Sequence, residues 1–454
     1  MNVHFIAIGG SAMHNLALAL HNKNITITGS DDEIFEPSKS RLAKYGLLPE
    51  KFGWFPEKIH SGLDAVVLGM HAREDNPELL EAKKLGIKIF SYPEYLYEQT
   101  KNKTRIVIGG SHGKTTITSM VMHVLKFAGV EFDYMVGANV EGFETMVNFS
   151  ETSKFAVFEG DEYLSSPIDK RPKFHLYKPN IALISGIAWD HINVFPTFDI
   201  YVEQFRKFIE LIENNGSLIY FENDKILADL SKNTNKKIKT IPYNTPKSEI
   251  IDNKSILITE AGKIAISVFG EHNLQNIAGA KLICNEAGIS DEVFYNAISN
   301  FKGAAKRLQL LAENSNCSVY LDFAHSPSKL EATVKALKKQ FTGRKLVACM
   351  ELHTFSSLTA EFLNEYKGTM KDVDFPIVFF NPETIKHKKL PEITTNQVLE
   401  SFDDNRLKVF NVTEELVNYL KSQNWNAQNL LMMSSGNFSG IDFKQFANEI
   451  VSKV

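Results

Sequence analysis

The chain has 454 residues, of which 43% are apolar and 23% charged, and its formal net charge is −4. That is the composition of a globular protein with room for two to four ordinary domains, and without a long basic block it gives no support for nucleic-acid or membrane-surface binding. Cys284, Cys317 and Cys349 make neither a metal spacing nor an even disulfide framework, which fits a reducing cytosol.

The opening MNVHFIAIGGSAM has no basic leader and reads as a strand rather than a signal peptide. No apolar run reaches 18 residues, so we expect no membrane span and a cytoplasmic location. The apolar run Val3 to Ile8 meets Gly9-Gly10. Met13, Leu16, Ala17 and Leu20 then follow at the i, i+3, i+4, i+7 spacing of a helix face. ITITGSDD and DAVVLGMHA add two more strand-like runs, giving a parallel βαβ series over residues 1–100.

The glycine pair has the geometry of a phosphate-cradling turn but lacks full G-x-G-x-x-G spacing, since Ala12 and His14 stand at later positions. By itself it suggests a dinucleotide oxidoreductase, with Asp31 at a strand end suited to a ribose or base. His71 and Arg73, in GMHAREDNPE, close a strand beside this turn and are candidate contacts to whatever ligand it holds.

EQTKNKT reads as a polar linker, and RIVIGGSHGKTTITSMVMHVL follows it. Here a strand enters the turn Gly109, Gly110, Ser111, His112, Gly113, and a helix starts at Lys114. Inward backbone N–H groups, the positive end of the helix and the lysine charge together suit a triphosphate. The Thr115 hydroxyl suits a magnesium ion bridging phosphate oxygens. Ile108 stands where the general pattern has a glycine, so the loop is a shortened variant. FEGDEY puts Glu159, Asp161 and Glu162 at one strand end, and WDHINVF puts Asp190 and His191 at another. In a parallel sheet both ends lie at the carboxyl edge beside the phosphate loop, where oxygen ligands and a histidine can hold magnesium. A third strand–loop–helix opens at CSVYLDFAHSPSKLEATVKAL, with a boundary near residue 312.

GGSHGKTT, EGDE, DHINVF, GEHNLQN, FKGAAKRLQLL and DFAHSP, in that order, make the chain resemble the Mur ligases, the ATP-dependent amide-forming enzymes of bacterial cell-wall synthesis. The resemblance implies an α/β protein of three domains: a Rossmann-like UDP-sugar-binding domain (1–100), a central ATPase with a mostly parallel sheet (101–312) and a Rossmann-like C-terminal domain (313–454). It implies ATP and Mg2+ as cofactors, held by Gly110, Ser111, His112, Gly113, Lys114, Thr115 and Thr116. Thr115, Glu159 and His191 are the implied metal ligands, and Lys114, Glu159 and His191 the catalytic set.

His272, Asn273 and Asn276 of GEHNLQN match a segment that meets the nucleotide, and Arg307 matches an arginine that reaches it. Asp322 and His325 match a segment that closes over ATP. Gly9, Gly10, Ser11, Met13, Ser30 and Asp31 match the UDP-binding turn. The implied partners are UDP-N-acetylmuramate and an amino acid or peptide, with neither nucleic acid nor membrane, for a monomer or weak homodimer.

GDEYLSSPIDKRPKFHLYKP with Asp169, Lys170 and Arg171, EGFETM and MMSSGNFSGID resemble the branch that joins L-alanyl-γ-D-glutamyl-meso-diaminopimelate to UDP-N-acetylmuramate. ELHTFSSL and AHSP depart from that branch at the expected amine site. The alternatives are the branch that adds free L-alanine and a silent nucleotide-binding regulator.

Overall fold

The computed structural model describes residues 1–189 and 194–453. The chain forms two compact units, one of residues 1–246 and 275–298, the other of residues 247–274 and 299–454.

The first unit carries two sheets. Four parallel strands run in the order Thr26–Ser30, Asn2–Ile6, Ala65–Leu68, Ile89–Ser91. Seven more run Lys239–Tyr243, Ser217–Phe221, Ile181–Ile184, Thr104–Gly109, Phe155–Glu159, Phe132–Met135, Val147–Asn148, and only the last pair is antiparallel. The three central strands are continuous apolar runs because helices cover both faces. Ile106, Val107, Ile108, Ala156, Val157, Phe158, Ala182, Leu183 and Ile184 are all fully buried. Each Ile, Val, Leu or Phe among them contributes ~1.5–3 kcal/mol by leaving water.

The helix Ser11–His21 shows the expected apolar face, but His14, Asn15, Leu18 and Ala19 are buried as well. The strand Val147–Asn148 packs against this helix, so burial extends beyond that face.

The second unit contains an antiparallel sheet, Ser248–Ile251, Lys254–Thr259, Gly262–Ile266, that the strand–loop–helix reading does not anticipate. Asp252 and Asn253, at φ +49° and +60°, make its first tight turn. Six further strands run Gln309–Glu313, Ser318–Asp322, Gln428–Met433, Lys345–Leu352, Phe375–Phe380, Lys408–Phe410, parallel except for the first pair. No helix among the described residues is long and apolar enough to cross a membrane.

Candidate active site

The strand Thr104–Gly109 lies between Phe155–Glu159 and Ile181–Ile184, with Ile108 in register with Glu159 and Gly109 with Ile184. Both flanking strands therefore deliver their carboxyl ends to the loop that leads into the helix Lys114–Phe127. Two glycines make the loop possible. Gly110 sits at φ +123°, and a Cβ there would fall on Ser185 Oγ and come within 2.8 Å of Ser185 N. Gly113 caps the helix at φ +78°, and a Cβ there would fall on Asn276 Oδ1. Asn276 is thus beside the loop. Ser111 N–H donates to Gly186 O at 3.0 Å, and Ala188 N–H donates to Ser111 Oγ at 2.8 Å, so the following strand's turn braces the loop.

Lys114 Nζ donates to Gly110 O at 2.7 Å and to Glu162 Oε2 at 2.8 Å. Burial alone lowers its pKa, but Glu162, Asp161 and Glu159 outweigh burial and hold it above the ordinary lysine value. The ammonium therefore stays charged.

Thr115 Oγ1 donates to Glu159 Oε1 at 2.6 Å, and Gly137 N–H donates to Glu159 Oε2 at 2.6 Å. Burial, then the charge of Asp161, pushes the Glu159 carboxyl above its usual value against those two bonds and Lys114. A hydroxyl and a carboxylate this close, beside a lysine, are hard oxygen donors that fit magnesium, and the carboxylate gains from a cation. Among the described residues no group of three or more histidine, cysteine, aspartate or glutamate side chains forms a metal cluster. His191, the implied further ligand, lies outside the described residues, as does Asp190.

The sequence reading does not give Glu162 its role. It is fully buried and also accepts from Tyr201 OH at 3.2 Å, while that phenol pairs with Ser111 Oγ at 2.9 Å. Asp161 pairs with Lys173 at 3.3 Å. His112 is exposed, and Thr116 is buried in the first helical turn.

At the four-stranded sheet, Gly9 and Gly10 follow the first strand. A Cβ on Gly9 would stand 2.7 Å from Ile34 and 2.9 Å from Asp31 Oδ2. Asp31 is buried and accepts Gly9 N–H at 2.7 Å. Its carboxyl is pushed up to about 6, by burial first and by Asp32, against the Gly9 bond. It braces the turn from inside rather than standing at the surface. Ser30 is buried with its Oγ 3.3 Å from Lys58 Nζ, and Met13 is buried behind the turn, while Ser11 is exposed. Gly69 N–H donates to Ile6 O at 2.9 Å, so the loop carrying His71 and Arg73, both exposed, runs beside the turn.

His272 is exposed, and Asn273 donates from Nδ2 to Phe269 O at 2.8 Å, in the first turn of the helix Glu271–Glu286. In the second unit the Arg307 guanidinium lies 4.9 Å over the Phe323 ring. Asp322 accepts Leu308 N–H at 2.6 Å and Ala324 N–H at 2.8 Å, and His325 Nδ1 donates to Phe323 O at 2.8 Å. The next strand ends, Leu352 and Met433, carry His353 and Ser434 onward. Glu351 is buried, bonded to Ser434 and accepting Phe438 N–H at 2.9 Å.

A glycine loop at a helix N-terminus, a charged lysine inside it and a hydroxyl–carboxylate pair alongside define an α/β enzyme that uses a nucleoside triphosphate. Residues 2–104 match the Mur ligase family, catalytic domain; residues 108–284 match the Mur ligase middle domain; residues 306–436 match the Mur ligase, glutamate ligase domain. A UDP-N-acetylmuramate–L-alanine ligase of Caldicellulosiruptor bescii is 32% identical over 388 residues, 82% of each chain.

A UDP-N-acetylmuramate–alanine ligase structure from Thermotoga maritima superposes with TM-score 0.73 at 19% identity, covering 100% of this chain and 99% of that one. A murein peptide ligase structure from Psychrobacter arcticus gives TM-score 0.64 at 21% identity, covering 100% and 98%. These two show the shared fold. The chain belongs to the Mur ligase family and is an ATP-dependent ligase. An enzyme of this class replaces the reading as a silent regulator, and an NAD oxidoreductase leaves the lysine loop unexplained.

Proposed function

We propose that the chain forms an amide between the carboxylate of UDP-N-acetylmuramate and an amine, in peptidoglycan biosynthesis in the cytoplasm. The observation that carries this reading is Lys114, held charged between Gly110 O and Glu162 at the mouth of a loop that only glycines can form. Residues 1–100 take the UDP-sugar, 101–312 the ATP and 313–454 the amine.

A carboxylate is a poor electrophile, so it must be activated. The muramoyl carboxylate attacks the γ-phosphorus, the bond to the β-phosphate oxygen breaks, and an acyl phosphate and ADP form. The amine then attacks the acyl carbon, phosphate leaves, and the amine's proton passes to a base. Lys114 offsets the repulsion between two anions in the first step. Thr115 and Glu159, with His191 from the sequence, would hold magnesium, which supplies charge neutralisation on the phosphates. Gly9 and Gly10 open the turn for the diphosphate, and the exposed His71 and Arg73 face the same ligand from the neighbouring loop. His272, Asn273, Asn276, Arg307, Asp322 and His325 complete the nucleotide-binding set.

For the amine we favour free L-alanine, which is the substrate named for the curated relative that shares 32% identity. The second reading is a whole tripeptide. It is supported by the resemblance of the segment of residues 160–179 to the tripeptide-adding branch; Arg171, exposed in that segment, is paired with Asp169 at 2.6 Å and Glu94 at 3.1 Å. Phosphate release with UDP-N-acetylmuramate, ATP and either L-alanine or the tripeptide decides between them. Turnover with L-alanine and none with the tripeptide supports the first reading. The reverse establishes the second, and no ADP with either amine overturns both.

A further inference from the structure

A chain of hydrogen bonds and short backbone steps, buried at His14 and Asn15, runs from the first glycine turn of the first unit to Glu159. It begins at Gly10 O, which receives a bond from His14 Nδ1 at 3.0 Å. A carbonyl only accepts, so Nδ1 carries the proton, with Ser38 Oγ as a second acceptor at 3.0 Å. His14 Nε2 faces Asn15 Nδ2 at 3.1 Å and Arg41 Nη1 at 3.3 Å. Both of those only donate, so Nε2 is the bare nitrogen.

The Asn15 amide is fixed in the same way. Its Nδ2 also donates to Ser11 O at 2.8 Å, and its Oδ1 accepts Met146 N–H at 3.1 Å. Met146 O accepts Val136 N–H at 3.0 Å, and the next residue, Gly137, donates to Glu159 Oε2 at 2.6 Å. A second arm runs from His14 through Arg41, whose Nη2 donates to Glu144 O at 3.0 Å. His14 is 1% exposed and Asn15 is fully buried, so neither can replace a lost partner with water.

Resting on the ligase reading above, we propose that His14 and Asn15 are positioning residues that lock the UDP-sugar turn to the Glu159 end of the ATP site. Phosphoryl transfer needs the sugar's carboxylate and the γ-phosphate in near-contact, so an error in the relative placement of the two turns is costly. Ordering Gly10 by a bound diphosphate tightens His14, Asn15 and the backbone of Met146 and Val136, and so steadies the Gly137 bond to Glu159. By linkage, each ligand then tightens the other by the same factor.

Calorimetry on the full chain tests this. The affinity for UDP-N-acetylmuramate is measured with and without a non-hydrolysable ATP analogue and magnesium, and the reciprocal titration is run. The native chain should show mutual tightening of about fivefold or more. Asn15→Leu, of similar size but unable to bond, should bring that factor close to one while each ligand still binds singly. Arg41→Met removes only the second, partly exposed arm and should lower the factor in part; it decides the matter if Asn15→Leu does not fold. Both ligands binding with no mutual effect in the native chain, or with an undiminished factor in the variants, overturns the proposal. A native chain that binds neither ligand overturns the ligase reading itself, and the relay with it.

Discussion

Glu159→Gln separates ligand chemistry from folding. The carboxylate is buried, accepts Thr115 Oγ1 and Gly137 N–H at 2.6 Å each, and has its pKa raised. An acid whose folded pKa lies above its unfolded value contributes most below the unfolded value and loses that contribution as pH rises through the folded one. At neutral pH the charge on Glu159 is therefore a net cost to the fold without a cation. Glutamine fits the same cage. Its oxygen must face Gly137 N–H, which only donates, and its amide then faces Thr115, whose hydroxyl rotates to accept. Charge-assisted bonds worth ~1.5–3 kcal/mol each become neutral ones of ~1 kcal/mol, offset by removal of the buried charge. Stability at pH 7 should stay within ~1 kcal/mol of the native chain or exceed it. Magnesium loses an anionic oxygen, so the concentration that half-saturates ADP formation should rise ten- to a hundredfold, ~1.4–2.8 kcal/mol. The assay is a magnesium titration of ADP formation with UDP-N-acetylmuramate, beside a denaturant melt. An unchanged titration refutes the ligand role, and a collapsed melt refutes the cage geometry.

Lys114→Ala should lower ATP turnover ~10²–10³-fold, and because it takes the cation away from the buried Glu162 it should also lower stability by ~3–5 kcal/mol in a urea melt; ADP formation at the native rate would dismiss the phosphate-loop assignment. His175 is buried and donates to Gln204 O at 2.7 Å, and burial pushes its pKa down to about 4. Stability tied to it is therefore full above ~6.5 and falls by about 3 kcal/mol as pH drops toward 4, a slope that melts of His175→Gln across this range should lack. Arg73→Ala should weaken UDP-sugar binding about tenfold by calorimetry with ATP binding intact, the loss expected for one charge-assisted contact; unaltered affinity removes Arg73 from the site.

What could be read in the residues was whatever local pattern decides. The run Arg105–Ile108, the glycines and Lys114-Thr115 carry a strand, a turn and a helix start in adjacent positions, so their geometry is local and legible. Glu159 was legible too, because an acid that ends an apolar run in a parallel sheet must emerge at the carboxyl edge. Glu162 was not. Only three residues further on, it turns back under Lys114 because Tyr201 and Ser111, 90 residues apart in the chain, close around it. Asp31 was legible as an acid at a strand end beside the turn, but its bond to Gly9 N–H, 22 residues away in the chain, was not. The polar pair His14-Asn15 interrupts an otherwise apolar helix, and nothing in that local spacing announces that the strand Val147–Asn148 packs against it. In each case the missed residue owes its role to a partner far away in sequence, and burial turns an ordinary polar side chain into one whose hydrogen bonds cannot be exchanged for water.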